Sequence, residues 1–220
     1  MNRQRLAVLA EKLRSSGVPT HFGEAKSRLL IKVWRAVLEG QPVHLPAIRG
    51  FAQQLSMNTE DAISFVYQIS ERDDRGDIVG IFGLSQIEHP HKFLITGRGF
   101  YTWCAWDALF LPPMLQQSAR VESTCPQTGL TVTAELTPEG VKSCLPATAV
   151  LSIVLPETDG FELSSFEAVW SSFCCNVHFF SSAVAARAWT SGKKQAFQVL
   201  SITEGFQLGL LAFREMLEYV

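Results

Sequence analysis

The chain has 220 residues, 47% of them hydrophobic and 18% charged, a balance that excludes a disordered chain and supplies a sizeable core. A net charge of −2 gives no overall bias toward nucleic acid or an anionic membrane surface. No stretch approaches the roughly 18 uninterrupted apolar residues of a membrane span, and an odd count of five cysteines fits reduced thiols in a cytoplasmic protein better than a disulfide framework.

The opening residues read as a short amphipathic helix rather than a leader peptide, because Glu11 and Lys12 break the apolar run. Residues 27–38 place apolar side chains at helical spacing and stop at Gly40. Residues 46–55 form a second short helix with Pro46 in its first turn. Asn58 follows as an N-cap. Glu60 and Asp61 suit the first turn behind it, and Ile63, Val66 and Tyr67 make an apolar stripe. Two short helices meeting near Ser56 and Met57 resemble a helix-turn-helix. A polar turn at Arg75-Gly76 and a strand over 78–84 complete a winged-helix pattern.

Residues 1–60 hold nine Lys and Arg against four acids, which suits a winged-helix transcription regulator whose cysteines sense metal. The second paired helix opposes DNA binding. Residues 58–70 contain Glu60 and Asp61 but no Lys or Arg, and offer only Asn58 and Gln68 to bases.

The remainder is mixed. Strands are expected over 93–96, 130–134 and 150–155, and an aromatic-rich apolar segment over 100–111 stops at Pro112-Pro113. Residues 173–180 alternate as a strand, residues 183–190 form a helix, and residues 204–219 form a closing helix that tolerates Gly205 and Gly209.

Three residues could carry chemistry together. In a helical setting Cys104 and Asp107 are three apart and share a face, and a thiol beside a carboxylate in an apolar stretch is a costly placement unless used. A lone cysteine is more often an inert core filler. On a strand, Cys174 and Cys175 point to opposite faces, which leaves Cys174 for a site with Cys104 and Cys175 for packing. Cys125 precedes a turn and Cys144 sits in a Pro-flanked loop. Neither has the C-x-x-C partner of a structural zinc site, although Cys174, His178 and another cysteine offer a mixed one. His21, His44, His89 and His91 form no motif, and His89-Pro90-His91 reads as an exposed loop.

The segments Tyr101-x-Trp103-Cys104-Ala105-x-Asp107-x-Leu109 and Ser172-Phe173-Cys174-Cys175-x-Val177-His178-Phe179-Phe180 resemble those of organomercurial lyase, also called alkylmercury lyase. Ala119-Arg120-Val121-x-Ser123-x-Cys125 with Thr128-Gly129, and Ser152-x-Val154-Leu155-Pro156, extend the resemblance over roughly residues 90–210. The resemblance implies a catalytic trio at Cys104, Asp107 and Cys174, a structural cysteine at Cys125 and an active-site aromatic at Trp103. It gives Cys144 no counterpart and Cys175 no essential role. Some relatives carry Ser in place of the aspartate, whereas this chain keeps Asp107.

The implied activity is protonolysis of R–Hg⁺ to a hydrocarbon and Hg(II), with no organic cofactor. The implied recipients of Hg(II) are low-molecular-weight thiols and a mercuric reductase. A non-catalytic thiol metal-binding protein is the third reading. The fold class expected is α+β: a winged-helix-like domain over 1–85, then a mixed α/β catalytic domain with mainly antiparallel strands over 86–220.

Overall fold

Leu6, Leu9, Ala10 and Leu13 recur at helical spacing and are buried along one side of α1 (Arg3–Ser15). In this computed structural model, residues 3–18, 22–156 and 160–220 are described, so His21 lies outside them. Helix α2 (Gly23–Val37) buries Leu29, Leu30, Val33, Trp34 and Val37, and Trp34 Nε1 donates to the Ile81 carbonyl at 3.0 Å. Helix α3 (Leu45–Gln54) carries Pro46 in its first turn. Helix α4 (Thr59–Gln68) is capped by Asn58, whose side chain accepts from the Glu60 and Asp61 N–H groups.

Strands β1 (Ser70–Arg72), β2 (Ile78–Ile81) and β3 (Leu84–Ser85) follow. The single strand expected over 78–84 is broken at Phe82 and Gly83, which take φ of 40° and 93°. After β4 (His91–Ile95) and β5 (Arg98–Thr102), α5 (Ala105–Leu115) is buried at every position. It runs through Pro112 and Pro113 instead of stopping there. The chain leaves the helix only at Gln116, in the left-handed region. Burial on all sides outweighs the lost N–H donors, which is tertiary context overriding local propensity.

Strands β6 (Ala119–Thr124), β7 (Thr131–Thr137) and β8 (Gly140–Leu145) complete a sheet ordered β1-β2-β3-β5-β4-β6-β7-β8, antiparallel at each pairing. Cys144 lies on edge strand β8 opposite Ala134 rather than in a loop. A second sheet pairs β9 (Val150–Val154) antiparallel with β10 (Phe179–Phe180) and β11 (Phe197–Ser201). The fold is therefore mixed α+β with antiparallel sheets.

The segment over 173–180 is not one strand. Helix α6 (Phe166–Ser172) leads into a 3-10 turn at Cys174–Asn176 before the two residues of β10. Apolar alternation over eight residues fits a strand, but the buried Cys174 and Asn176 are reached by a tight turn pinned between α5 and β9. Helix α7 (Ala183–Thr190) occupies the residues expected of it. Helix α8 (Ile202–Ala212) ends before Tyr219, and a 3-10 turn at Met216–Tyr219 follows. Gly205 and Gly209 let α8 pack closely: a Cβ would stand 2.2 Å from Leu151 Cδ2 at the first and 2.9 Å from Phe110 Cβ at the second.

Candidate active site

Cys104 is the residue that caps α5, in an extended conformation that turns the chain from β5 into the helix. Its main-chain N–H donates to Asp107 Oδ2 at 2.7 Å, and Thr102 Oγ1 donates to its carbonyl at 2.9 Å. The pairing of Cys104 and Asp107 is thus a cap and its third helical residue, not two positions on one helix face. The helix N-terminus favours negative charge on both groups.

Cys174 arrives from a remote part of the sequence. The Ala105 N–H donates to the Val177 carbonyl at 3.1 Å and so docks the 3-10 turn against the start of α5. From the other side Ser152, fully buried on β9, donates its Oγ to the Asn176 carbonyl at 2.9 Å and accepts the His178 N–H at 3.1 Å. Between these two clamps one sulfur each of Cys104 and Cys174 and one carboxylate oxygen of Asp107 lie within 4.8 Å of one another, all buried. Among the described residues this is the group of three side chains able to hold a metal ion.

Burial raises the Asp107 carboxyl from 3.8 to about 7, against hydrogen bonds from Cys104 and the charge of His89 that draw it down. Burial pushes the Cys104 thiol well above its ordinary range, and its hydrogen bond to Cys174 adds to this. That same hydrogen bond draws Cys174 down, but burial and the Asp107 charge leave it raised on balance. The pattern describes Cys104 as the S–H donor and Cys174 as the sulfur that receives it, with Asp107 able to gain or lose a proton near neutrality.

An apolar cavity opens over Asp107 and Cys174, walled by Phe82, Trp103, Trp106, Phe110, Phe166, Phe173 and Phe213. Cys104 is fully buried and takes no part in this lining. Residues Val18, Gln68, Ile69 and Gly83 contribute from the first 85 residues of the chain. Trp103 stands where the sequence expects an active-site aromatic, with its ring 4.7 Å from Phe166 and its Nε1 donating to Glu71 Oε2 at 3.2 Å.

The other cysteines stand apart from the cluster. Cys125 is buried in the turn between β6 and β7, where Ser181 Oγ donates to its sulfur at 3.8 Å. Cys175 is half-buried and its sulfur points to the Ser171 carbonyl at 3.3 Å. His178 Nε2 donates to the Cys175 carbonyl at 2.8 Å and its ring lies 4.9 Å from Trp189, so the mixed zinc site is not formed.

Five residues around the site escape a reading of the sequence. Glu71 Oε2 accepts a hydrogen bond from His89 Nε2 at 3.1 Å beside Trp103, so His89 is not part of a bare exposed loop. His91 is buried on β4 against Ser123. Phe82 and Gly83 had only the Phe-Gly dipeptide as a signal, which marks a turn without saying what it faces.

Known proteins resemble this chain over most of its length. Residues 84–214 match the family model MerB, alkylmercury lyase. The chain is 33% identical to the alkylmercury lyase of Pseudomonas putida over 96% of this chain and 92% of that one. It is 34% identical to the alkylmercury lyase of Staphylococcus epidermidis over 85% and 83%. The crystal structure of the mercury-bound form of MerB2 superposes with a TM-score of 0.75 at 21% identity, over 98% of this chain and all of that one, a likeness of fold.

Proposed function

The chain belongs to the alkylmercury lyase family, an enzyme that cleaves the carbon–mercury bond, and from that premise we propose that Cys104, Cys174 and Asp107 perform the cleavage. The observation that carries this assignment is the meeting of two sulfurs and a carboxylate oxygen, within 4.8 Å, from segments 70 residues apart.

Mercury prefers thiolate sulfur to oxygen or nitrogen, and R–Hg⁺ already holds one strong ligand in its carbon. Cys174, on the cavity wall, binds mercury first, and its thiol proton leaves with the hydroxide or small thiolate that R–Hg⁺ carried in. Cys104 then passes its proton to the Asp107 carboxylate and binds mercury as the second thiolate. Two sulfurs raise electron density at mercury and polarise the bond toward carbon. Asp107 returns the proton to carbon, the mercury–carbon electron pair becomes the new C–H bond, and the hydrocarbon leaves. Hg(II) stays between the two sulfurs and Asp107 is again a carboxylate. The raised Asp107 carboxyl supports this role, because a group titrating near 7 can both take and give a proton.

Hg(II) held by two thiolates leaves by ligand exchange with other thiols. We assign that step to low-molecular-weight thiols and to a mercuric reductase in the cytoplasm, with no organic cofactor needed for any step. Cys125, braced by Ser181, serves the fold rather than the chemistry. Residues 1–85 are read as a winged-helix-like unit that closes one side of the cavity with Gln68, Ile69 and Phe82, and residues 86–220 as the catalytic domain.

Purified, fully reduced protein given phenylmercury and excess small thiol should release benzene over many turnovers. A protein that takes up mercury yet releases no benzene would instead be the non-catalytic metal-binding protein.

A further inference from the structure

We infer that Phe82 is a specificity-determining residue whose ring forms an aromatic wall for the organic group of the substrate and favours flat aryl groups over short alkyl groups. The inference rests on the lyase reading above and deepens it.

Three observations carry it. The first is place. Phe82 lines the cavity that holds Asp107 and Cys174, so an organic group on mercury bound at Cys174 extends into space shaped by that ring.

The second is surroundings. The Phe82 ring centre lies 6.4 Å from Phe110 and 6.0 Å from Phe213, whose own rings are 4.1 Å apart. Edge-to-face and offset contacts among such rings are favourable, and a phenyl group entering this cavity gains the same contacts that a methyl group cannot make.

The third is backbone cost. Phe82 holds φ of 40°, a left-handed conformation that a bulky aromatic seldom adopts. The turn is pinned on both sides: the Phe82 N–H donates to the Ile69 carbonyl at 3.0 Å, and the Gly83 carbonyl accepts the Trp103 N–H at 3.1 Å. A strained conformation that its neighbours over-determine is a mark of a functional position. Here it turns a large ring inward directly beside the residue that faces Asp107.

The test compares wild type with Phe82→Leu and Phe82→Met, measuring benzene from phenylmercury and methane from methylmercury. Met keeps much of the ring's volume without its flat face, so it reports on aromaticity even if the Leu variant folds poorly. The expected result is a loss of kcat/KM for phenylmercury of roughly three- to tenfold, carried mainly by KM. Methylmercury cleavage should change by less than about twofold, since methyl makes few contacts with the ring. Equal losses on both substrates, or an unchanged ratio in the Met variant, would overturn the inference and leave Phe82 a packing residue. Wild type releasing neither hydrocarbon would overturn the lyase reading itself, and this inference with it.

Discussion

Gly83 stands against Asp107 so closely that a Cβ on it would lie 2.7 Å from the Asp107 Cγ and 2.9 Å from Oδ1. The same glycine takes φ of 93° and gives its carbonyl to the Trp103 N–H. Gly83→Ala therefore meets a steric clash with the proton-carrying carboxylate and a backbone penalty together. The expected cost is on the order of 1–3 kcal/mol in stability, read from a denaturant midpoint. Activity should fall further than stability, because Asp107 must shift. A variant with normal turnover would show that this contact does not hold the carboxylate in place.

Asp107 itself should cost the fold stability at alkaline pH. Its carboxyl titrates near 7 when folded and near 3.8 when unfolded, so between those values the folded protein keeps a proton that the unfolded chain has lost. The stability it contributes is fully present below about 3.8 and is lost as pH rises through about 7. Asp107→Asn is neutral throughout. Relative to wild type it should gain about 2 to 3 kcal/mol between pH 5 and pH 8, from roughly two pH units at 1.36 kcal/mol each. Parallel stability curves for the two proteins would contradict the raised value.

The two sulfurs of the proposed site should differ in capture. Cys174 lines the cavity and Cys104 does not. With the partly exposed Cys144 and Cys175 replaced by Ser in every variant, Cys104→Ser should bind one equivalent of phenylmercury, detected by intact mass, without releasing benzene. Cys174→Ser should capture phenylmercury at least tenfold more slowly. Capture of equal speed in both variants would sink the proposed order. Cys175→Ser should keep turnover, since its sulfur points to the Ser171 carbonyl outside the cluster.

Ser152 should prove to be a positioning residue for Cys174. Its hydroxyl bridges β9 to both the Asn176 carbonyl and the His178 N–H. Ser152→Ala leaves a buried carbonyl and a part-buried N–H unpaired at a cost of about 1–3 kcal/mol, and it should lower kcat more than it raises KM. A Thr at this position restores the hydroxyl and should recover most of kcat. A loss of stability with unchanged kcat would make Ser152 purely structural.

The sequence carried the site more completely than the fold. Cys104, Asp107 and Cys174 sit in short local patterns, and matching those patterns singled out the three side chains that the fold brings within 4.8 Å of one another. What brings them together is not local. The Ala105 N–H bond to Val177 and the Ser152 bridge join segments far apart in the chain, and no periodicity encodes them. Strong local signals were also read correctly where nothing opposed them, as at the Asn58 cap and over α7. The misreadings came where burial outweighed local rules. Helix α5 absorbs Pro112 and Pro113 because it is buried at every position, and the alternating residues near Cys174 fold as a 3-10 turn because two clamps hold them. The mixed zinc site failed because His178 is spent on the Cys175 carbonyl and Trp189.

The central claim is that Asp107 delivers a proton to carbon while Cys104 and Cys174 hold the mercury. A single-turnover experiment on Asp107→Asn, measuring benzene and protein-bound mercury in the same sample, tests it most directly. The account predicts stoichiometric mercury on the protein and at least a hundredfold slower benzene release than wild type, the low end of what a lost general acid costs. Benzene released at the wild-type rate would contradict it.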